Sequence, residues 1–429
     1  VFFNLPVWAA EMPGRLDARA WGLACAGAAV AVALMAPRGH PRAAGTLAAV
    51  AVAAAVGLQL HYLARSTAKT SAYVGYPKQY VARRGTPPVI DGDVFKPAWR
   101  SAAWSEPFLE IRGADAPAGT GPTELQATRM KMMWDDEYLY VAAVMDFPVG
   151  DELVAKFTER NSPIFYTDSD FEVFIDPAGC CHGYKELELN AINTVWNLML
   201  DKPYSDGGGE RSGRVAKPGD KDYWEVKAQK TAARITRGAL HRPDQPAQWC
   251  CELAFAHSDT LGVAPVAGAS PAVGKHWRID FSRVEKKGDV NWVWSPQVVW
   301  NPAEQRYKGE VNMHLPDAWG YVLFADAEGR LEGGAPGDAW RDPEWPARRA
   351  AAAAYYAVRE FQGAHKRPPA TAAELLAAGL LPGAAQGVEG VEHVLSLEGP
   401  GGWTAAAEAA GFVATVAGDR LLRVRRAER

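Results

Sequence analysis

From residue 77 to residue 326 the apolar side chains of this 429-residue chain alternate in short runs, each closed by Gly, Pro, Asp or Asn. Alternation is the period of an extended strand, whose side chains point by turns to opposite faces. The segment "MKMMWDDEYLYVAAVMD" therefore predicts a strand, a turn at Asp135 and Asp136, and a second strand. "DFEVFID", "YKELELNAI", "VWNLML", "CCELAF" and "WRIDFSRV" predict further strands. No amphipathic helix interrupts them, so the predicted architecture is an all-β sandwich.

The flanks read differently and set the predicted domain limits. Residues 20–36 and 44–64 carry no charged side chain and are joined by the basic turn "PRGHPR". Each approaches the roughly 20 apolar residues that cross a bilayer, so residues 1–75 predict a membrane-anchoring helical hairpin that spans between 20 and 64. Arg38 and Arg42 favour a cytoplasmic connecting loop, which puts the sandwich of residues 76–326 on the extracytoplasmic side. Residues 327–346 are a linker of Gly, Pro and acidic residues, and 347–429 predict a small α+β unit. In that unit a long helix stops before Pro368 and Pro369, Thr371 caps a short helix with Glu374 completing a capping box, and paired strands follow about "AGDR".

Several function classes are excluded or disfavoured. A net charge of −4 without a basic face offers nothing to nucleic acid. There is no phosphate-binding Gly-rich loop, no G-x-S-x-G and no H-E-x-x-H, and His182, His257, His276 and His314 are scattered. Five cysteines are too few for a disulfide scaffold of this length. Two vicinal pairs, Cys180-Cys181 and Cys250-Cys251, lack zinc-ligand spacing, and their remaining options are packing or one bond between the pairs.

The densest polar pattern is the hairpin over residues 168–190. Strand parity puts Phe171, Val173 and Ile175 on one face with Leu187, Leu189 and Ala191. The other face collects Asp170, Glu172, Phe174 and Asp176 with Tyr184, Glu186, Glu188 and Asn190. Like charges this close repel, so they need arginine, a cation with oxygen ligands, or sugar hydroxyls. Three readings follow: a glycosidase pair, which requires carboxylates about 5–10 Å apart; a ligand- or cation-binding face; or a solvated acidic face.

The middle block resembles the family 9 carbohydrate-binding domains, in order along the chain. The resemblance is carried by "PPVIDGDVFKPAW", "TRMKMMWDDEYLYVAAVMD", "DSDFEVFIDP" with "YKELELNAINTVWNLML", "GKHWRIDFSRVE", and "NWVWSPQ" with "NMHLPDAWGYVLF". It covers roughly 250 residues and neither flank. The chain departs from it at Asn197, where the family tends to have Asp, and at Ala256, where it tends to have Pro.

The resemblance implies non-catalytic binding of a saccharide or polysaccharide in a Trp-lined slot, in chains that often serve carbohydrate catabolism. It implies no required cofactor, with calcium as a structural ion. Sixteen Trp suit such a slot. Trp292 and Trp294, on one strand face, are its expected walls, with Trp196 third and Gln297 available to hydroxyls. Glu172, Glu188 and Asn190 are the expected polar contacts. Arg278 and Arg283 have opposite parity, and Arg283 is expected to face Asn190 and Glu188. Trp99, Trp134 and Trp277 are expected in the core. The alternatives are glycoside hydrolysis by the hairpin carboxylates, or an envelope scaffold that binds no sugar.

Overall fold

The computed structural model describes residues 73, 75–262, 264–383 and 391–428. The apolar runs at 20–36 and 44–64, and Cys25, lie outside the described residues. Among the described residues no helix is long and apolar enough to cross a membrane.

The predicted strands form with few changes. They are β1 (Gln79–Arg84), β2 (Leu109–Glu110), β3 (Thr128–Trp134), β4 (Tyr138–Phe147), β5 (Asp170–Asp176), β6 (Tyr184–Asn190), β7 (Val195–Leu200) and β8 (Glu210–Arg211). There follow β9 (Lys230–Arg237), β10 (Ala247–Ala256), β11 (His276–Glu285), β12 (Val290–Val293), β13 (Val298–Asn301), β14 (Arg306–Gly309) and β15 (Gly320–Ala325). Two short helices, α1 (Ile164–Thr167) and α2 (His257–Leu261), interrupt them.

Thirteen of these strands form one continuous sheet, and β13 and β14 pair apart from it. Its order is β8-β7-β6-β5-β11-β15-β1-β3-β4-β10-β9, with β12 also on β11 and β2 on β12. The join is β1, which pairs in parallel with both β15 and β3; Arg83 lies opposite Ala325 on one side and Met133 on the other. A sheet this long curls and packs on itself. Phe171, Val173, Leu187 and Phe281 from one half share a core with Met130, Met132, Val141 and Leu253 from the other. Trp134 and Trp277 are in that core, and Trp99 is buried in a neighbouring one.

The "IDG" loop is fixed by a buried acid. Glu252 on β10 accepts hydrogen bonds from the backbone N–H of Asp91 and Gly92, from Lys96 and from the Trp99 indole. Cys250 and Cys251 point to opposite faces and into different clusters, and all four described cysteines are unbonded, buried thiols.

After a turn-rich stretch the chain enters α3 (Trp345–His365), then α4 (Ala372–Ala377) and a four-stranded antiparallel sheet. Its strands are β16 (Glu392–Ser396), β17 (Thr404–Ala409), β18 (Phe412–Ala417) and β19 (Leu422–Arg426). Thr371 occupies the N-cap of α4 without a side-chain capping bond, and Glu374 pairs with Arg367 at 3.0 Å, so the expected capping box does not form. The small unit and the sandwich belong to one compact body, Gly75–Arg429.

Candidate functional site

The cross-strand register arranges the outer face of β5, β6 and β11 in rows. Glu172 lies opposite Ser282 of β11 on one side and Glu188 of β6 on the other, and Glu188 lies opposite Trp196 of β7. In the flanking rows Asp170 pairs with Val284 and Asn190, and Phe174 with Asp280 and Glu186. The parity reading of the hairpin is therefore realised residue by residue.

This face is not solvated. Ile164 of α1 and the Met313 to Trp319 segment cover it, packing with Phe174, Tyr184, Trp196 and Leu198. Asp170, Glu188 and Ser282 have no solvent exposure, and Glu172 and Glu186 are 5% and 6% exposed. One oxygen from each of Asp170, Glu172 and Glu188 falls within 4.8 Å of the other two. Neither oxygen of Asp170 or Glu188, nor one of Glu186, has a hydrogen-bond partner of ordinary geometry, while the Ser282 hydroxyl bears on Glu172 and partly offsets the effect of burial on its carboxyl.

Burial and mutual repulsion push the acids toward the neutral form. The Glu172 carboxyl is raised to about 7 by burial, and those of Asp170, Glu186 and Glu188 are raised as well. For Glu188 burial comes first, followed by the charges of Glu172, Asp170 and Glu186, all acidic. An arrangement of this kind either shares protons or holds a cation. It suits hydrolysis poorly, because the unpartnered oxygens are shut away from any glycosidic oxygen.

Arg283 does not compensate the cluster. It stands opposite Phe171, so it points to the core face, while Arg278 stands opposite Asp176. The Arg283 guanidinium binds Glu285 at 2.8 Å, donates to Thr128 and Asp146 of the other half, and lies over Phe147 and Trp292. It clips the two halves of the sheet together. Arg278 reaches the carbonyls of Trp319 and Asp317 and lies over Tyr321.

The expected slot walls are also interior. Trp292 and Trp294 are 4% and 3% exposed and sit in the main core. The Trp292 indole donates to the Thr120 carbonyl, and Trp294 packs against Phe281. Two aromatic residues on the same face of β12 and its extension face the second half of the sheet, because that face is the inner one. Gln297 donates to Asp280 at 2.7 Å and is fully buried. Asn190 donates to Asp168 and the Phe157 carbonyl and accepts from the Thr194 N–H, so it ties the hairpin to a loop.

Trp196 alone of the three lies on the acidic face, and it anchors an aromatic rim that the sequence pattern did not single out. Phe165, 37% exposed, lies 5.0 Å from the Trp196 ring, and Arg214 lies over that ring at 5.5 Å. Arg214 pairs with Glu210. Tyr204, 47% exposed, meets His314 edge-on at 4.7 Å; His314 in turn touches the Tyr184 hydroxyl and stands 4.0 Å from Glu186. A run such as "SPIFYT", with an aromatic outside any alternating strand, was the available signal for Phe165.

Residues 90–198 match the family model described as "Carbohydrate family 9 binding domain-like". The chain thus contains a domain similar to that family, and the matched part includes the acidic hairpin and Trp196. Among solved structures, a carbohydrate binding module family 9 from Caldicellulosiruptor kristjanssonii in complex with cellotriose is 16% identical, with a TM-score of 0.34, over 62% of this chain and 98% of that one. A family 9 module from the same organism in complex with glucose is 17% identical, with a TM-score of 0.33, over 58% and 96%. No curated protein matches the chain.

Proposed function

We propose that the sandwich is a non-catalytic saccharide-binding module whose ligand lies on the rim formed by Phe165, Trp196, Arg214 and Tyr204. The family match over residues 90–198 is the observation that carries this reading. The rim supports it with two large, exposed aromatic rings beside a charged pair, Arg214 and Glu210. Aromatic faces accept the C–H face of a pyranose, and the charged groups meet its hydroxyls, the usual combination at small-ligand sites.

Affinity electrophoresis of the full chain against a panel of soluble polysaccharides tests the reading. Tyr204→Ala and Phe165→Ala, at exposed positions, each weaken retention about tenfold, equivalent to ~1.4 kcal/mol. Equal mobility on every glycan sinks saccharide binding; retention that survives both substitutions moves the ligand off this rim.

In the same reading the apolar runs at 20–36 and 44–64 tether the module to a membrane with the sandwich outside the cytoplasm, where it would hold polysaccharide for degradation. Their length and lack of charge support the tether, and Arg38 and Arg42 support the orientation. Alkaline carbonate washing of membranes checks it, since release of the chain to the supernatant removes the tether.

A further inference from the structure

We infer that a cleft on the reverse side of the β7–β8 edge binds a small hydroxylated monocarboxylate of hexuronate size, with Arg211 and Lys202 on its carboxylate and His182, Asp201 and Asp419 toward its hydroxyls. The family resemblance assigns nothing to this place, and it is separate from the rim.

The separation follows from register. Arg211 lies opposite Met199, and Glu210 opposite Leu200. Residues directly opposite one another share a face of the sheet. Met199 belongs to the main core, whereas Leu200 packs with Trp196 on the acidic face. Arg211 therefore stands on the reverse of the edge that carries Glu210 and Arg214. The cleft has a volume of about 330 Å³ and is lined by His182, Met199, Asp201, Lys202, Arg211 and Asp419. That volume is at the lower end of the roughly 300–1,000 Å³ of small-ligand sites, which suits a single sugar ring.

The first observation is an unequal matching of charges. Among the described residues Lys202 has no ion-pair partner, and Arg211 has only the half-exposed Asp222, at 4.0 Å. Lys185, in the same cross-strand row as Met199 and Arg211, is wholly buried and donates to the Gly183 carbonyl at 2.7 Å. Asp176 acts on it from beyond ion-pair distance. The acids of the cleft are held by backbone instead of by these bases. Asp201 accepts from the Gly209 N–H at 2.7 Å, and Asp419 from the Leu421 N–H at 3.3 Å. A carboxylate between Arg211 and Lys202 completes the set, because the guanidinium fork matches its two oxygens.

The second observation is His182, which is 7% exposed. Its Nε2 donates to the Asp419 carbonyl at 2.8 Å. A carbonyl only accepts, so the proton sits on Nε2 and Nδ1 keeps a lone pair. Among the described residues nothing donates to that nitrogen, although the side chain is more than nine-tenths buried and lines the cleft. Nδ1, Asp201 and Asp419 are thus acceptors for hydroxyl protons. The same two acids repel a second negative charge, which disfavours a dicarboxylate or a phosphate dianion. One carboxylate on a hydroxylated ring satisfies both halves of the cleft.

Calorimetric titration of the full chain with D-glucuronate is the test. One saturable site should appear, at least tenfold tighter than for D-glucose, acetate, inorganic phosphate or alanine, and weaker as salt is raised. Arg211→Gln and Lys202→Gln, at partly exposed positions, should each weaken glucuronate at least tenfold. Tyr204→Ala and Phe165→Ala should leave it within about twofold. Absence of heat at two temperatures overturns the inference, as does equal or tighter binding of phosphate, alanine or glucose. So does glucuronate binding that survives both cleft substitutions or is lost with the rim ones. Retention on polysaccharide is read on the rim variants alone, so failure of this site and failure of saccharide binding at the rim are distinct results.

Discussion

The turn at Arg420 and the hairpin at Glu188 both bury charge, and they do so in opposite ways. Arg420 leads from β18 to β19 in a left-handed backbone conformation, φ 69°. Its guanidinium is 5% exposed and pairs with Asp206 at 2.9 Å and Asp317 at 3.1 Å. It also donates to Tyr356 at 2.7 Å; the Tyr356 hydroxyl donates to Asp317, and that of Tyr355 to Asp206. Every charged group in this network has its counter-group in the same chain, which locks the C-terminal sheet and α3 onto the sandwich. At Glu188 three acids face one another, and no base among the described residues pairs with them. The contrast teaches that a buried network holding its own counter-charges acts as a structural joint, whereas one built of acids alone is pushed toward the neutral form.

The largest expected effect breaks the complete network. Arg420→Met leaves two buried carboxylates unpaired and should lower stability by about 3–5 kcal/mol in chemical denaturation. A loss below about 1 kcal/mol would mean that the joint is held by apolar packing alone. The incomplete cluster should respond with the reverse sign. Glu188→Gln removes one buried acid from a cluster of like charges and should stabilise the chain by about 1–3 kcal/mol. A destabilisation of that size would show that the ionised carboxylate is compensated where it stands.

A third buried group sharpens the contrast by staying neutral. The His257 ring lies edge-on to Trp277, with Nε2 on the Asp135 carbonyl and a buried Nδ1 without a partner. Burial holds its pKa below the ordinary value of 6.5, and Asp135 and Asp136 oppose this only in part. The unfolded chain therefore binds the proton more readily, so stability should be complete above about pH 6.5 and fall as the pH drops below it. Thermal melts between about pH 7.5 and 5 should show the parent chain losing stability more steeply than His257→Gln as the pH falls. Parallel curves would show that protonated His257 is tolerated.

Much of the fold was legible because strand parity is local. The alternation in "DFEVFID" and "YKELELN" placed Phe171, Val173, Leu187 and Leu189 on the core side and Glu172 and Glu188 on the other, as the ladder has them. Parity within one strand does not say which of two arginines shares a face with another strand. That depends on register, and the pairing of Arg283 with Phe171 inverted the expectation. Nor does it say which face is outermost. Trp292 and Trp294 do share a face, but that face is closed by the second half of the sheet.

The sequence by itself determined the strands, the turn at Asp135 and Asp136, the helix that stops before Pro368, and the two-faced hairpin, since each follows from neighbours a few residues apart. Only the tertiary structure decided that the sandwich is a single curled sheet, that α1 and the Met313 to Trp319 segment roof the acidic face, and that Asp206, Asp317 and Arg420 meet. Those outcomes depend on pairings between segments distant in sequence, such as Gln79 with Tyr321 and Asp206 with Arg420. The burial of the acids turns a pattern that reads as a polar surface into a set of oxygens in need of a partner.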